Sequence, residues 1–305
     1  VVLDGAAGVP DVDIVDAESA DVAGLLTAAA RRGFDLTESA PLRVTVVHNT
    51  DSDAISVAVV LHHIAADGAS MVPLTADLIT AYRARLAGAD PDWAPLPVQY
   101  ADYTLWQREL LGDDTDPASL AGGQLDFWTT TLADLPDELP LPYDRTRPAA
   151  PTFAGDSVPV SVPATVQRGL AELARRNGVS EFMVLHSALA VALRQATGSR
   201  DITIGTPVAG RRDTKLDNLI GMFVNTLVLR SDVDPRLSFV DVLAAGKAGL
   251  LDAMANAEIP FERVVEAINP DRSSARHPLF QVALSFDDVE VPAWTLPGVT
   301  MRAEP

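Results

Sequence analysis

The 305-residue sequence contains no cysteine, which removes several kinds of chemistry from consideration. Without thiols, the chain forms no disulfide, builds no cysteine-based zinc site and has no thiol nucleophile of its own. Any thioester chemistry would therefore use a thiol that a partner brings. A chain without cysteine also suits the reducing interior of a cell, and we expect a cytoplasmic location.

Positive charge and long apolar runs are also scarce. The chain has 23 Lys and Arg against 42 Asp and Glu, giving a formal net charge of −19. Such a surface repels nucleic acid and anionic membranes, and no basic stripe offsets it. No stretch approaches the roughly 18 consecutive apolar residues of a membrane-spanning helix, and the N-terminus lacks the pattern of a signal peptide. We expect neither nucleic acid nor membrane as a partner.

The motifs of several large enzyme classes are missing too. The sequence has no GxGxxG, GxxxxGK[ST], HExxH or GxSxG. No motif therefore supports a nucleotide-binding protein, a zinc protease or a serine hydrolase. Two adjacent histidines lie four residues before an aspartate, which could in principle ligate a metal. Adjacent strand residues diverge, however, and no third ligand cluster stands out, so we expect no metal site.

Hydrophobic residues make up 48% of the chain, enough for a large core. Strands and helices interleave, which predicts an α/β or α+β fold with mixed sheets. Seven prolines between Pro136 and Pro163 predict an extended crossing without helix, where we place a domain boundary. Strands are predicted at 43–48, 55–61, 201–208, 223–230 and 279–286, and helices at 98–111, 125–135, 164–177, 180–197 and from the Ser238 capping box to about 256.

The most informative stretch is His-His-Ile-Ala-Ala-Asp-Gly at residues 62–68. It follows a run, 55–61, that is apolar on both faces and therefore predicts a buried central strand. Side chains alternate along a strand, so only one of His62 and His63 can face a given cleft. Asp67 and Gly68 belong to a strand-to-helix turn, where glycine permits unusual dihedral angles or close approach of a substrate. We interpret the stretch as a catalytic loop.

Other candidate residues have structural interpretations. His186 lies in an apolar helix, which favours a packed core histidine. Tyr100, Tyr103 and Trp106 recur at helical spacing, which is typical of core packing. Either Asp67 or Ser70 can cap the helix that follows the catalytic loop.

Five segments in order resemble the motifs of the condensation domains of nonribosomal peptide synthetases. HHxxxDG alone is shared with wax-ester synthases and chloramphenicol-acetyltransferase relatives, but the other four segments make the match specific, and it spans essentially the whole chain. The segments are His62–Gly68 (HHIAADG), Tyr100–Trp106 (YADYTLW), Ile220–Thr226 (IGMFVNT), Ile259–Val265 (IPFERVV) and Arg276–Val282 (RHPLFQV).

The resemblance implies a fold of two chloramphenicol-acetyltransferase-like lobes in a V, with the active site in a tunnel between them. Residues 1–148 then belong to the N-terminal lobe and residues 149–305 to the C-terminal lobe. Family members are about half again as long as this chain. We therefore expect it to be a piece truncated at both ends, with both lobes incomplete.

The resemblance also implies an activity, which is amide formation between an upstream acyl or peptidyl thioester and the amine of a downstream aminoacyl thioester. Both substrates would arrive on the 4′-phosphopantetheine of carrier proteins, so the domain itself would bind no cofactor. The partners would be an upstream and a downstream peptidyl carrier protein, together with an adjacent adenylation domain.

Resemblance assigns His63 as the catalytic histidine and His62 as a structural one. It implies that Asp67 holds the loop through an ion pair with an arginine, for which Arg211 is our candidate, rather than forming a His-Asp dyad. Gly68 either offers its N–H to the oxyanion and its backbone to the thioester, or only permits the turn.

Two further positions are predicted near the substrate tunnel. Asn225 projects from a predicted strand among apolar neighbours, with a purely structural role as the alternative. Ala69 occupies a position where many family members have tryptophan, so we expect it to affect the acceptor side rather than the chemistry.

Rival functions stay open at this point. An epimerisation domain shares HHxxxD but usually lacks the glycine that follows the aspartate. A catalytically silent recruitment domain would have the same fold without the activity. The intact His63, Asp67 and Gly68 favour catalysis over both. A heterocyclising variant is excluded because it would have aspartates in place of both histidines. His277 and the loop sequence HHIAADG favour a donor residue of D configuration.

Overall fold

The computed structural model of the protein describes residues 8–270, 273, 275–286, 295–296 and 299–300. The chain divides into two compact units. The first unit comprises Val1–Asp102, Arg211–Phe223 and Val291–Pro305, and the second comprises Tyr103–Gly210 and Val224–Glu290. The division into lobes at residue 148 stays a prediction.

The first unit begins with a strand, a helix and a hairpin. Strand β1 (Asp11–Ala17), helix α1 (Ser19–Arg31), strand β2 (Leu42–Asn49) and strand β3 (Ile55–Leu61) form a sheet in the order β1-β2-β3. Helix α1 connects two parallel strands, as such a crossover requires, and β2 and β3 pair antiparallel. Strands β2 and β3 confirm the strands predicted at 43–48 and 55–61, and the hairpin leads directly to His62.

The prediction that residues 55–61 form a buried central strand was wrong. Among the described strands of this sheet, β2 is central and β3 lies at the edge. Ile55 and Val57 are 62% and 57% exposed. Helix α1 packs against β2 and β3, where Thr45 and Val47 are buried, while Ile55 and Val57 lie on strand positions that no described element covers. An apolar run shows strand propensity but does not show how many faces are covered.

After β3 the chain makes two short 3₁₀ turns, His63–Ala65 and Gly68–Ser70, and enters helix α2 (Met71–Leu86). The helix confirms the pattern predicted after the catalytic loop, with Pro73 in its first turn. Helix α3 (Tyr100–Leu111) follows an irregular stretch and matches the predicted helix at 98–111 to within two residues.

The second unit is built on a two-stranded antiparallel sheet with helices. Strands β4 (Asp201–Val208) and β5 (Asn225–Asp232) pair along their whole length, and their buried side chains form the apolar core with the helices. Its helices are α4 (Leu120–Thr131), α5 (Ala164–Asn177), α6 (Glu181–Thr197), α7 (Phe239–Ala255) and α8 (Phe261–Ile268). A pair of short antiparallel strands near the C-terminus, β6 (Thr295–Leu296) and β7 (Val299–Thr300), belongs to the first unit.

Several local predictions for this unit are confirmed. Residues 136–163 contain neither helix nor strand. Helices α5 and α6 end at Gly178 and Gly198, whose φ angles of 60° and 74° are the left-handed values that favour glycine after a helix. Ser238 and Asp241 form the predicted capping box at the start of α7. Helix α4 lies about five residues earlier than the predicted 125–135.

The predicted strand at 279–286 is not formed. Leu279 has a φ angle of 67°, which interrupts an extended chain. The segment makes only one isolated parallel bridge, between Ala283 and Gly205 of β4, with Gly205 N–H donating to the Val282 carbonyl at 2.9 Å. The Phe280 ring occupies the space in which a side chain at position 205 would lie. The N–H of Leu284 also donates to the Gly205 carbonyl at 2.9 Å, so the segment pairs with β4 at this one point and does not continue as a strand.

His186 confirms the prediction of a packed histidine. It lies in α6, is 4% exposed and stacks on Phe182 with ring centroids 6.1 Å apart. No described residue bonds its Nε2. Because burial penalises the charged imidazole, the pKa of His186 is lowered to about 4.

This lowered pKa predicts an acid-sensitive contribution to stability. An unfolded histidine titrates near pH 6.5, so protons bind the unfolded chain first, and the contribution is complete above that pH and lost as the pH falls toward 4. The difference corresponds to on the order of 3 kcal/mol. We expect the free energy of unfolding in urea to fall more steeply between about pH 7 and about pH 4.5 in the native protein than in His186→Leu. A native slope in His186→Leu would contradict the prediction.

Candidate active site

His63 lies at the point where β3 gives way to a 3₁₀ turn, and its side chain is exposed. Its Nδ1 is 2.9 Å from the carbonyl oxygen of Ala66. Because a carbonyl only accepts, the neutral imidazole donates from Nδ1, and Nε2 keeps a free lone pair. The backbone of the loop thus holds His63 in the tautomer in which Nε2 can accept a proton.

His62 is held in the opposite tautomer. Its Nδ1 accepts a hydrogen bond from the backbone N–H of Ile64 at 3.1 Å, so the proton of the neutral ring lies on Nε2. The ring lies perpendicular to that of Phe34, with centroids 5.9 Å apart at 87°. The backbone N–H of His62 also donates to Pro41 at 2.9 Å. His62 therefore caps the turn that contains His63.

Asp67 has a fully buried side chain, and both carboxylate oxygens are in use. Oδ1 accepts from the backbone N–H and the hydroxyl of Ser70, at 3.0 and 2.7 Å. Oδ2 accepts from Nη1 of Arg211 at 2.6 Å and from the N–H of Phe223 at 3.1 Å. These four hydrogen bonds leave the carboxylate without an acceptor site for a hydrogen bond from His63, so a His-Asp dyad does not form.

Ser70 is the second centre of this network and is fully buried. Its hydroxyl oxygen lies 2.9 Å from Nη2 of Arg211 and within 3.1 Å of both the N–H and the carbonyl of Gly221. Asp67 and Ser70 together form a capping box on the turn before α2. Sequence reasoning treated Ser70 only as a helix cap, because a serine three residues after Asp67 is not the Glu or Gln of the usual capping-box signal.

Arg211 reaches Asp67 from the segment 211–223. Its side chain is 6% exposed, its Nη2 donates to the Leu219 carbonyl at 3.1 Å, and its guanidinium lies 4.1 Å from the centre of the Phe223 ring. The ion pair is therefore enclosed by hydrogen bonds and an aromatic face, the conditions under which a buried pair is stable.

Tyr100 fixes the far end of the same segment. Its hydroxyl donates to the Met222 carbonyl at 2.6 Å, and its ring meets Phe223 edge-on at 5.1 Å. A Cβ at Gly221 would run into the Tyr100 ring, so the close approach requires glycine there. Tyr100 thus has a specific polar contact that the prediction of core packing missed. Tyr103 is buried as predicted, whereas Trp106 is 50% exposed and does not fit that prediction.

The network holds Asp67 in its charged form. Burial alone raises the pKa of this carboxyl group, but the hydrogen bonds from Arg211, Ser70 and Phe223, with the charge of Arg211, outweigh it and lower the pKa below its ordinary value. The pKa of Tyr100 is raised, first by burial and then by the charge of Asp67. Asp67 is therefore an anion at neutral pH and has no proton to transfer.

Gly68 is exposed five residues after His63, and nothing in the described part of the chain requires glycine at this position. Its φ is outside the left-handed range, and no heavy atom lies within 4 Å of the place where a Cβ would be, its chain neighbours apart. No described residue accepts a hydrogen bond from its N–H. Ala69 is exposed as well. Residues 68 and 69 of the loop thus present exposed backbone.

Asn225 begins β5, in the second unit. Its amide donates to the carbonyls of Ala257 and Ile259 at 2.9 and 2.7 Å, and its Oδ1 accepts from the N–H groups of Thr226 and Phe261 at 2.8 and 3.0 Å. These bonds use the full capacity of the amide. They support the structural alternative for Asn225, in which it ties the residues before α8 to the start of β5.

A metal site and a membrane-spanning helix are both absent from the described residues. No group of three or more histidine, aspartate and glutamate side chains there has an arrangement that could hold a metal ion. None of the helices in that part of the chain has the length and apolar character to cross a bilayer.

Comparisons with known proteins identify relatives of this chain. The family model of the condensation domain matches residues 10–298. The probable non-canonical nonribosomal peptide synthetase CymA of Salinispora arenicola is 48% identical over 92% of this chain, and a dimodular nonribosomal peptide synthase of Bacillus subtilis is 45% identical over 94%. Among solved structures, the X-domain from teicoplanin biosynthesis, in complex with OxyB, matches 92% of the chain with a TM-score of 0.85 and 32% identity.

The chain spans only 4% and 12% of the two synthetases and 62% of the X-domain chain. The match nevertheless covers nearly all of the described residues, and it confirms the mixed α/β fold class expected of this family. Given the family model and these synthetase relatives, the chain belongs to the condensation domain family of nonribosomal peptide synthetases.

Proposed function

We propose that this domain catalyses amide formation between two thioester-bound substrates, with His63 as the catalytic residue. The observation that carries the proposal is the exposed His63 ring, whose Nδ1 is engaged by Ala66 and whose Nε2 is left as a base. The substrates would be an upstream acyl or peptidyl thioester and a downstream aminoacyl thioester, both on the phosphopantetheine arms of carrier proteins. An adjacent adenylation domain would load the downstream carrier, and a cytoplasmic location fits these partners.

In the proposed reaction, the α-amine of the acceptor attacks the donor carbonyl carbon, a C–N bond forms, and the C–S bond to the donor carrier breaks. One proton leaves the nitrogen and ends on the released thiol. An α-amino group has a pKa of about 7.7–8.0, so a useful fraction is neutral near pH 7 and needs no strong base to become a nucleophile. His63 Nε2 therefore orients the amine and takes its proton as the tetrahedral species collapses.

Asp67 and Arg211 act in this proposal through structure alone. Their ion pair, with Ser70, fixes the turn that follows His63, and the carboxylate has no free lone pair for the imidazole. Gly68 gives the donor thioester access to the backbone, and its free N–H stabilises the oxyanion. Ala69, beside it, shapes the acceptor side.

Gly68→Ala tests the role of the glycine. Because a Cβ there meets no atom of the described chain, we expect the melting temperature to change little, while amide formation falls at least tenfold as the methyl group blocks the approaching thioester. Gly24→Ala, in helix α1, is the matched control because its Cβ also meets open space. Full activity in Gly68→Ala would show that the lack of a side chain at this position plays no part in the reaction.

A recruitment function is the second candidate, and one comparison favours it. The X-domain that this chain resembles was solved in complex with OxyB, so this fold serves there as a binding platform. An epimerisation domain is the third candidate, through its shared HHxxxD loop.

Intact-protein mass spectrometry separates the three candidates. A donor-loaded and an acceptor-loaded carrier are incubated with the longest natural chain that contains these residues, using donors of both configurations. Transfer of mass from donor to acceptor supports condensation, and a preference for the D-configured donor would support that subtype. Without transfer, deuterium exchange at the carrier-bound α-carbon supports epimerisation, and its absence favours recruitment.

A further inference from the structure

Arg43 of β2 is a buried cation without a counter-ion. The residue is 5% exposed, and no carboxylate among the described residues forms an ion pair with it. A buried charge without compensation is costly, so its surroundings must replace the missing anion.

The compensation comes from carbonyl oxygens at the end of helix α1. Nη2 of Arg43 donates to the carbonyl of Arg32 at 2.6 Å and to that of Ala29 at 3.3 Å, and Nη1 donates to that of Gly33 at 3.4 Å. The C-terminal end of a helix carries partial negative charge, which suits a cation. Arg43 therefore fixes the chain that leaves α1, where Phe34 follows directly.

Phe34 connects this cation to the catalytic loop. The guanidinium carbon of Arg43 lies 4.4 Å from the centre of the Phe34 ring, a cation–π contact, and Phe34 meets His62 edge-on at 5.9 Å. His62 in turn accepts the N–H of Ile64 and so caps the turn that contains His63. An unbroken series of contacts thus runs from Arg43 through Phe34 and His62 to the catalytic turn.

We propose that Phe34 and Arg43 are positioning residues for His63, acting through the ring of His62. Phe34 restricts the rotation of His62 so that Nδ1 stays on the Ile64 amide, and Arg43 holds Phe34 in place. The role rests on the proposed catalysis by His63, and neither residue touches the substrate. Without the Phe34 ring, His62 turns away, the 3₁₀ turn loosens, and Nε2 of His63 loses its fixed direction.

The test compares Phe34→Leu, Arg43→Met and the conservative Phe34→Tyr in the longest natural chain that contains these residues. We expect Phe34→Leu to lower kcat about 10- to 100-fold, the usual cost of misplacing a reacting group, with KM within about twofold. Arg43→Met should act in the same direction, and Phe34→Tyr should keep near-native kcat because the ring remains. In a His63→Ala background, Phe34→Leu should cause no further loss, since the two residues act through one group.

A second readout does not depend on turnover. Ring ¹⁵N chemical shifts, assigned with His62→Gln and His63→Gln, report which nitrogen of each neutral histidine carries the proton. We expect His62 to be protonated on Nε2 and His63 on Nδ1 in the native protein and in Phe34→Tyr, and a mixture of tautomers in Phe34→Leu. If the native protein forms no amide, the proposed reaction fails, and these shifts alone decide the positioning role.

Tyr143→Leu is the matched control because it removes another cation–π contact, between Arg147 and Tyr143 at 5.0 Å, in the second unit. It should leave the tautomers and kcat unchanged. Two outcomes would overturn the proposal: native tautomers and kcat in Phe34→Leu, or an equal loss from Phe34→Leu with and without His63.

Discussion

Replacing His63 with alanine is expected to slow amide formation by on the order of 10²–10⁴-fold, the span typical of a positioned general base. The loss arises because Nε2 no longer receives the amine proton when the tetrahedral species collapses. Single-turnover mass spectrometry of donor-loaded and acceptor-loaded carriers measures this step directly. Binding of the carriers should change little, so the effect belongs to the rate of the chemical step.

His48→Ala is the control for the loss of an imidazole. His48 lies on β2, its side chain is 48% exposed, and it contacts Asp16 at 3.3 Å. We expect its removal to leave the transfer rate at the native value. If His63→Ala lost only a few-fold or less, His63 would have no part in proton transfer, and the recruitment interpretation would gain support.

Replacing Asp67 with alanine is expected to lower the free energy of unfolding by about 3–5 kcal/mol, the usual cost of breaking a buried ion pair on one side. Arg211 would remain 6% exposed with its charge uncompensated, and Ser70 and Phe223 would lose the acceptor of their N–H groups. Urea unfolding followed by circular dichroism measures the change. Amide formation should fall with stability, because the turn after His63 loses its anchor.

Asp90→Ala gives the matched comparison. Asp90 pairs with Arg85 at the same 2.6 Å, but the two side chains are 87% and 68% exposed. An exposed pair contributes only about 0–1 kcal/mol, so this variant should be close to native. If Asp67→Ala kept a native melting curve yet lost its activity, Asp67 would act in catalysis rather than in the fold.

Sequence reasoning located the local elements around the HHIAADG loop at residues 62–68. The hairpin before His62, helix α2 after it and the helix ends at Gly178 and Gly198 follow from propensity, capping and glycine chemistry, which act within a few residues. It also named Arg211 as the candidate partner of Asp67, from the resemblance rather than from the spacing of residues.

What it missed depends on contacts between distant residues. The edge position of β3 and the β1–α1 unit depend on which strands pair, and an apolar run carries no information about that. The interruption of the predicted strand at Leu279 depends on how the Phe280 ring packs against Gly205. Ser70 and Tyr100 gain their roles only when residues 211–223 meet them. Polar networks of this kind are specified by tertiary structure, and local pattern cannot reveal them.

The network around Asp67 also limits how domains of this family can be recombined. The turn at 67–70 and the segment 211–223 lie more than 140 positions apart, yet they share one carboxylate, one hydroxyl and one guanidinium. A chimaera with a junction between them would join halves whose hydrogen bonds had been matched to different partners. Swaps should therefore transfer the two segments together, with Tyr100, so that the donor parent supplies a complete set of bonds.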